Sequence, residues 1–210
     1  DLTKLRYEYE ITQKLNLSGV MRSYGLEPYN NGLALILEDF GGQSLKEFIS
    51  RKRLDIHTIL NISMQLADTI GELHKKTVIH KDIKPDNIIF NTDTKQVKFT
   101  DFSISCQGWI EHQTINQPTT LEGTLAYMSP EQTGRMNRKV DYRSDYYSLG
   151  VTLYELLANR LPFEANDPME LVHCHIAKLP APPHLLNPAI PPQLSAIVMK
   201  LLEKNAENRY

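Results

Sequence analysis

The stretches HKDIKPDN at residues 80–87 and DFS at residues 101–103 decide the fold of this chain and point to its chemistry. Phosphoryl transfer needs one carboxylate to accept a proton from the attacking hydroxyl, and a second to hold Mg²⁺ against the phosphates. Mg²⁺ also accepts an amide oxygen as a ligand and takes its remaining ligands from phosphate and water. Asp82, Asp101 and Asn87 supply these groups. The sequence therefore predicts ATP-dependent phosphoryl transfer assisted by Mg²⁺.

Composition indicates a globular chain. Of the 210 residues, 41% are hydrophobic and 23% are charged, and the net charge is −2, which argues against a disordered tail and against an electrostatic nucleic-acid binder. Cys106 and Cys174 lie far apart and have no metal-ligand spacing, as expected in a reducing compartment. No apolar run approaches the ~20 residues needed to cross a bilayer. We expect a cytoplasmic segment that contacts neither nucleic acid nor membrane.

Hydrophobic periodicity predicts the elements around these two stretches. Residues 5–15 and 59–73 have the spacing of amphipathic helices, and residues 33–37 that of a buried strand. Ser44 and Glu47 form a potential capping box at the start of a short helix. Two short strands at residues 88–90 and 97–99 are joined by a polar turn. This hairpin brings Asp82, Asn87 and Asp101 together.

The second half of the chain is predicted to be mostly helical. Apolar residues lie on nearly every face of the helix predicted at residues 145–157, as in a buried helix. Asp167-Pro168 is expected to begin another helix. The proline-rich residues 180–192 are expected to form a stiff connector before a last amphipathic helix at residues 194–202. Residues 103–128 lack periodicity and offer several threonine hydroxyls for modification, namely Thr114, Thr119, Thr120 and Thr124.

Taken together, the motifs resemble those of eukaryotic-type Ser/Thr protein kinases. HKDIKPDN resembles the catalytic loop, DFS the metal-binding motif, GTLAYMSPE at residues 123–131 the substrate-docking segment, and DYYSLG at residues 145–150 the start of the central helix. The resemblance implies an α+β fold with two lobes, an incomplete N-lobe at residues 1–41 and a mainly helical C-lobe at residues 42–210. The amino-acid sequence of residues 123–157 further resembles that of the kinase modules in bacterial multidomain sensor histidine kinases.

The resemblance also implies a role for each matching residue. Asp82 would orient the substrate hydroxyl and accept its proton, Lys84 would steady the transferred phosphate and favour a Ser or Thr acceptor, and Asn87 and Asp101 would hold Mg²⁺. Glu8 matches the glutamate that pairs with the nucleotide-binding lysine, and Glu10 is the alternative. The residues expected to contact ATP are Leu37 as gatekeeper, Glu38 and Phe40 in the hinge, and Ile89.

Other matches imply structural roles. Glu131 and Arg209 resemble a buried ion pair, Asp145 resembles the residue that holds the catalytic loop by its backbone, and Thr124 resembles a threonine that contacts the base and its lysine. His173-Cys174-His175 is poor metal-ligand geometry, because adjacent residues on a helix point to different faces.

The chain departs from the family pattern in three places. Lys81 replaces the usual arginine beside the base, so we expect a weaker dependence on phosphorylation of the loop, because lysine cannot bind a phosphate with two parallel hydrogen bonds. A glycine-rich loop and a strand-borne lysine should precede Glu8, but only seven residues do. We therefore expect the chain to be part of a longer kinase and to transfer phosphate poorly when it is expressed alone. Ser103 replaces the usual glycine, which should restrict the backbone at this motif.

The reaction expected of the whole protein is ATP-dependent phosphorylation of protein Ser or Thr residues, with further signalling domains in the same longer chain. One alternative is a pseudokinase or regulatory module that uses the fold to bind partners. The complete set of Asp82, Asn87 and Asp101 argues against it. A small-molecule phosphotransferase is a second alternative, and the docking segment at residues 123–131 disfavours it.

Overall fold

The computed structural model describes residues 2–30, 32–108 and 124–210. Its α-helices are α1 (Leu2–Leu15), α2 (Leu45–Arg51), α3 (Ile56–Lys75), α4 (Arg143–Ala158), α5 (Pro168–Ala177), α6 (Pro183–Leu186) and α7 (Pro192–Leu201). Its strands are β1 (Ser23–Tyr29), β2 (Gly32–Leu37), β3 (Gln43–Ser44), β4 (Val78–Ile79), β5 (Ile88–Phe90), β6 (Val97–Phe99) and β7 (Cys106–Gln107). Single 3₁₀ turns occur at Pro85–Asn87, Leu125–Tyr127, Pro130–Thr133 and Ala206–Asn208. Helices and small antiparallel sheets confirm the predicted α+β class.

Three small antiparallel sheets divide the strands. β1 pairs with β2, β3 pairs with β5 and β5 with β6, and β4 pairs with β7. The predicted hairpin is formed by β5 and β6, with Ile89 opposite Lys98 in the register. Since the loop at residues 80–87 leads into β5 and Asp101 follows β6, the hairpin holds both motifs at one end.

The core is built around α4, which is buried along almost its entire length, as its apolar sequence predicts. Gly150 permits close packing of this helix against α7, because a Cβ at Gly150 would lie 2.8 Å from the Cβ of Leu201. The amphipathic α3 covers another side of the core with residues spaced three and four apart, namely Ile59, Ile62, Leu66, Ile70 and Leu73. α3 packs against α4 and also against β6 of the hairpin.

The capping predictions had different outcomes. Asp167 caps α5 as predicted, and its carboxylate accepts a hydrogen bond from the Glu170 N–H at 2.8 Å. The capping box predicted at Ser44 is wrong, because the Ser44 hydroxyl donates instead to the Pro85 carbonyl at 3.3 Å. A capping box does form at the 3₁₀ turn that begins with Pro130, between Ser129 and Gln132.

The strand predicted at residues 33–37 forms β2, but it is only half-buried, and Ile36 is exposed. Within the described residues β2 pairs only with β1, a strand that the sequence analysis did not predict. The connector at residues 180–192 contains the short helix α6. No helix of the described residues is both long and apolar enough to cross a membrane.

Candidate active site

The loop at residues 80–87 is hydrogen-bonded through its backbone to Asp145 on α4. Asp145, which is fully buried, accepts hydrogen bonds from the backbone N–H groups of His80 and Lys81, each at 2.9 Å. Its Oδ2 atom also lies 2.9 Å from His74 Nε2 on α3. A buried carboxylate needs such partners, because an unpaired charge in the interior is costly. The role predicted for Asp145 matches this geometry.

Asp82 lies at the centre of a compact polar cluster. Its Oδ2 atom accepts a hydrogen bond from Lys84 Nζ at 2.6 Å and another from Asn87 Nδ2 at 2.9 Å. Lys84 Nζ also donates to the Thr124 hydroxyl at 2.6 Å, and the Thr124 N–H points to Asp82 Oδ1 at 3.4 Å. Three residues, which lie up to 42 positions away in the sequence, thus surround the Asp82 carboxylate. The contacts expected of Thr124 are present.

Asp101 follows β6 in a left-handed backbone conformation, with φ 61°. The Ser103 hydroxyl donates to Asp101 Oδ1 at 2.6 Å, so the residue that replaces the usual glycine supports the aspartate side chain. The Thr100 N–H donates to the Asn87 carbonyl at 3.0 Å, which joins the two motifs through the backbone. The left-handed position belongs to Asp101, and Ser103 is not among the residues with positive φ.

Asn87 and Asp101 each carry a side-chain oxygen of the kind that Mg²⁺ binds. Asn87 Nδ2 donates to both the carbonyl and the Oδ2 atom of Asp82, each at 2.9 Å, so Oδ1 is the amide atom that a metal ion would bind. No cluster of three or more His, Cys, Asp and Glu side chains suited to a metal occurs in the described part of the chain. An ion held by one amide and one carboxylate must take its other ligands from phosphate and water, as Mg²⁺ does in nucleotide sites.

Glu8 on α1 faces the same motif. Its carboxylate accepts a hydrogen bond from the Phe102 N–H at 3.2 Å. The Phe102 ring packs against the His80 ring, with 4.5 Å between the two ring centres. Burial and the nearby charge of Asp101 raise the pKa of Glu8, and the backbone N–H of Phe102 partly offsets them. Glu10 is exposed on the same helix, so the geometry favours Glu8.

The predicted hinge is fastened to the β5–β6 hairpin. Glu38 pairs with Lys98 Nζ on β6 at 2.5 Å and accepts the Arg22 N–H at 2.9 Å. Lys98 also lies 4.7 Å above the centre of the Phe40 ring, and the Phe40 carbonyl accepts a hydrogen bond from Asn91 Nδ2 at 2.7 Å. Burial opposes ionisation of Glu38, but Lys98 and the Arg22 N–H outweigh it and lower its pKa.

The remaining residues of the predicted nucleotide site lie next to this hinge. Leu37 ends β2, and Ile89, at the centre of β5, faces Lys98 across the hairpin. The predicted modification sites Thr114, Thr119 and Thr120, and Gly123 of the docking segment, lie outside the described residues.

Comparison with known proteins agrees with this geometry. The sequence model of the protein kinase domain matches residues 1–210. The chain belongs to the protein kinase family. This kinase chain is 31% identical over 208 residues to a probable serine/threonine-protein kinase of Clostridium acetobutylicum, a match that covers 99% of the chain and 31% of the relative.

Relatives of this kinase chain include proteins from other bacteria and from yeast. Serine/threonine-protein kinase PknB of Mycobacterium leprae is 33% identical over 177 residues, covering 84% of the chain and 28% of the relative. Aurora kinase of Schizosaccharomyces pombe is 35% identical, covering 98% of the chain and 55% of the relative. The chain thus spans about a third of the length of the clostridial relatives that it matches. Nothing in these comparisons supports the pseudokinase alternative.

The sequence analysis did not predict the roles of Lys98 and Gln132, nor the hydrogen bond by which Ser103 supports Asp101. Lys98 fixes the hinge, Ser103 holds Asp101, and Gln132 donates from its Nε2 atom to the Lys81 carbonyl at 2.8 Å. The alternating pattern of β6 could have indicated that Lys98 faces Ile89. The partners of Ser103 and Gln132 depend on backbone turns and long-range contacts that no sequence pattern reveals.

Proposed function

We propose that this chain is the catalytic domain of a protein kinase that transfers the γ-phosphoryl group of ATP to Ser or Thr hydroxyls. One observation carries the proposal, namely that Lys84 Nζ lies 2.6 Å from both Asp82 Oδ2 and the Thr124 hydroxyl. This contact places a fixed cation beside the carboxylate that would receive the acceptor's proton. A positive charge there suits the charge that spreads over the phosphoryl oxygens in the transition state.

The proposed reaction uses Asp82 as the residue that orients the acceptor hydroxyl. The acceptor oxygen forms a bond to the γ-phosphorus, the bond from that phosphorus to the leaving ADP oxygen breaks, and Asp82 takes the hydroxyl proton. Lys84 stabilises the transferred group as a point charge. Asn87 and Asp101 would hold Mg²⁺, which supplies charge neutralisation at the phosphates when it is bound.

The nucleotide is proposed to lie between the hinge and the hairpin. Leu37, Glu38, Phe40 and Ile89 are the proposed adenine contacts, and Glu8 is the proposed partner of a nucleotide-binding lysine. Support comes from the contacts that Lys98 and Asn91 make with the hinge, since a fixed hinge presents its backbone groups in one orientation. Residues 1–41 would belong to the small lobe of the domain and residues 42–210 to the large lobe.

The proposed substrates are proteins, and the proposed location is the cytoplasm. We also propose that the chain works beside further signalling domains, as its resemblance to sensor-protein kinase modules implies.

A phosphotransfer assay tests the proposal. The protein expressed from its complete coding sequence is incubated with γ-labelled ATP, Mg²⁺ and peptides that carry Ser, Thr or Tyr as the sole acceptor. We expect label on Ser or Thr, dependence on the divalent ion, and a loss of at least ~100-fold in Asp82→Asn. Label on Tyr alone, or full activity in Asp82→Asn, would contradict the proposal.

A further inference from the structure

His175 on α5 is buried, and the two nitrogen atoms of its ring have different surroundings. The residue is 1% exposed, and its Nδ1 atom lies 3.0 Å from the Tyr147 hydroxyl on α4. Nε2 is also buried and makes no hydrogen bond of ordinary geometry within the part of the chain that the structure describes. Buried polar atoms in folded proteins nearly always have a partner, so the role of Nε2 needs an explanation.

Lys204 decides the direction of the hydrogen bond between Tyr147 and His175. Its Nζ atom lies 3.3 Å from the Tyr147 hydroxyl oxygen. A lysine ammonium group donates hydrogen bonds and cannot accept them, so the Tyr147 oxygen accepts this bond and its own proton is left for His175. Nδ1 is therefore the acceptor. In a neutral imidazole the proton then sits on Nε2.

The His175 ring is neutral at pH 7, and it packs against the turn that contains Leu125. Burial and the charge of Lys204 lower the pKa of His175 to about 4. The Leu125 carbonyl acts in the opposite direction, because as a hydrogen-bond acceptor it favours a proton on the ring. Since Tyr147 binds Nδ1, the Nε2–H group is the one left for this carbonyl.

Leu125 begins the 3₁₀ turn of the segment predicted to dock the substrate, directly after Thr124. The far end of this turn is fixed to α4, since the Tyr127 carbonyl accepts a hydrogen bond from the Ser148 hydroxyl at 2.8 Å. The Leu125 carbonyl accepts the Met128 N–H at a long 3.4 Å, and a carbonyl oxygen has a second lone pair. A donor at this oxygen fixes the near end of the turn as well.

We propose that His175 is a positioning residue for the docking segment, because its Nε2–H, set by the chain of hydrogen bonds from Lys204 through Tyr147, holds the Leu125 carbonyl. The inference rests on the proposed function, since it assumes that a peptide binds next to Thr124. Loss of this donor should weaken the binding of the peptide and leave that of ATP unchanged.

The position of the ring proton can be observed directly. The protein expressed from its complete coding sequence is labelled with ¹⁵N-histidine, and long-range ¹H–¹⁵N spectra at pH 7 distinguish the two ring nitrogens. The signals of His175 are assigned by their loss in His175→Gln. We expect a neutral ring with its proton on Nε2. A proton on Nδ1, or a ring protonated at both nitrogens, would overturn the inference.

Two amide substitutions separate the role of the donor from that of packing. A glutamine amide reaches the position of Nε2 and can donate to Leu125, whereas an asparagine amide reaches only that of Nδ1. We expect His175→Asn to raise the KM for a Ser peptide about fivefold, as for the loss of one neutral hydrogen bond, with kcat and the KM for ATP near their wild-type values. His175→Gln should restore most of the peptide KM.

His173→Gln is the matched control, since His173 is exposed on the same helix, and it should leave the peptide KM unchanged. Equal increases in His175→Asn and His175→Gln would show that the ring acts by packing and would overturn the inference. A wild-type peptide KM in both variants would overturn it too.

Hydrogen exchange separates this inference from the proposed function, because it needs no phosphate transfer. Exchange of the Tyr127 and Met128 N–H groups is measured by mass spectrometry, and it should be faster in His175→Asn than in wild type or His175→Gln. If the wild-type protein phosphorylates no peptide, the proposed function fails, but equal exchange rates in wild type and in folded His175→Asn would overturn the role of His175. Thermal unfolding shows whether the variant is folded, and the wild-type spectrum tests the inference even if it is not.

Discussion

Arg209 and Glu131 form a two-pronged ion pair across 78 residues of sequence, with Arg209 Nη1 2.6 Å from Glu131 Oε1 and Nη2 3.0 Å from Oε2. Both side chains are almost fully buried, at 0% and 1% exposure. The Ser144 hydroxyl adds a bond to Glu131 at 2.9 Å, and Arg209 also donates to the Arg143 carbonyl. The pair thus joins the segment after Tyr127 to the start of α4 and to the last residues of the chain.

Removal of one partner of the Arg209–Glu131 ion pair should strongly lower the free energy of unfolding. We expect Arg209→Met to lower the free energy of unfolding by ~3–5 kcal/mol, because Glu131 would remain buried without its partner. Denaturant unfolding measures this loss. Arg51→Met is the matched control, since the Arg51–Glu47 pair is exposed and its loss should cost about 1 kcal/mol at most. Equal losses in the two variants would argue against the importance of burial.

Asp82→Asn should reduce phosphate transfer far more than nucleotide binding. The variant keeps the shape of the side chain but cannot accept the hydroxyl proton, so kcat should fall by ~10²–10⁴. Steady-state kinetics with ATP and a Ser peptide measure kcat, and titration with a fluorescent ATP analogue measures affinity. Asp93→Asn, an exposed position in the β5–β6 turn, serves as control and should leave kcat at the wild-type level. A similar fall in both variants would rule out a special role for Asp82.

Lys98→Met should loosen the hinge. The variant loses the ion pair with Glu38 and the cation above the Phe40 ring, so the KM for ATP should rise several-fold while kcat changes less. Lys95→Met, an exposed lysine on the same hairpin, is the control. Lys98→Arg should restore part of the affinity, because arginine also pairs with Glu38. A fall in kcat at constant KM would show that Lys98 acts elsewhere.

Lys204 should make stability depend on pH in the alkaline range. Burial lowers the pKa of its amine to about 8, and Arg209 adds to the effect. Between pH 8 and about 10.5 the unfolded chain binds a proton that the folded chain has released, so this group's contribution to stability rises with pH. The difference in unfolding free energy between wild type and Lys204→Met should therefore shift in favour of wild type from pH 7 to 10.

The difference in unfolding free energy between wild type and Lys204→Met can change by at most about 1.4 kcal/mol per pH unit, because one group titrates. Lys200→Met, an exposed lysine nearby, should show no such slope. A flat difference for Lys204→Met would mean that the amine keeps its ordinary pKa in the fold.

The sequence by itself determined the longer helices, the β5–β6 hairpin and the main chemical groups, but not the short strands β1, β3 and β7. The apolar residues of α3 and α4, the N-cap at Asp167 and the β5–β6 hairpin follow from local periodicity and turn chemistry, so they could be predicted. The same holds for Asp82, Asn87 and Asp101, whose order and spacing match one reaction.

Only the tertiary structure decided how these groups are supported. The contacts of Asp145 with the catalytic loop, of Lys98 with the hinge and of Lys46 with Glu155 join residues 60 or more positions apart. The Ser44 hydroxyl illustrates the same limit, since it binds Pro85 instead of capping its own helix. A short-range pattern records which groups a residue can bind, whereas packing decides which of the possible partners comes within hydrogen-bond distance.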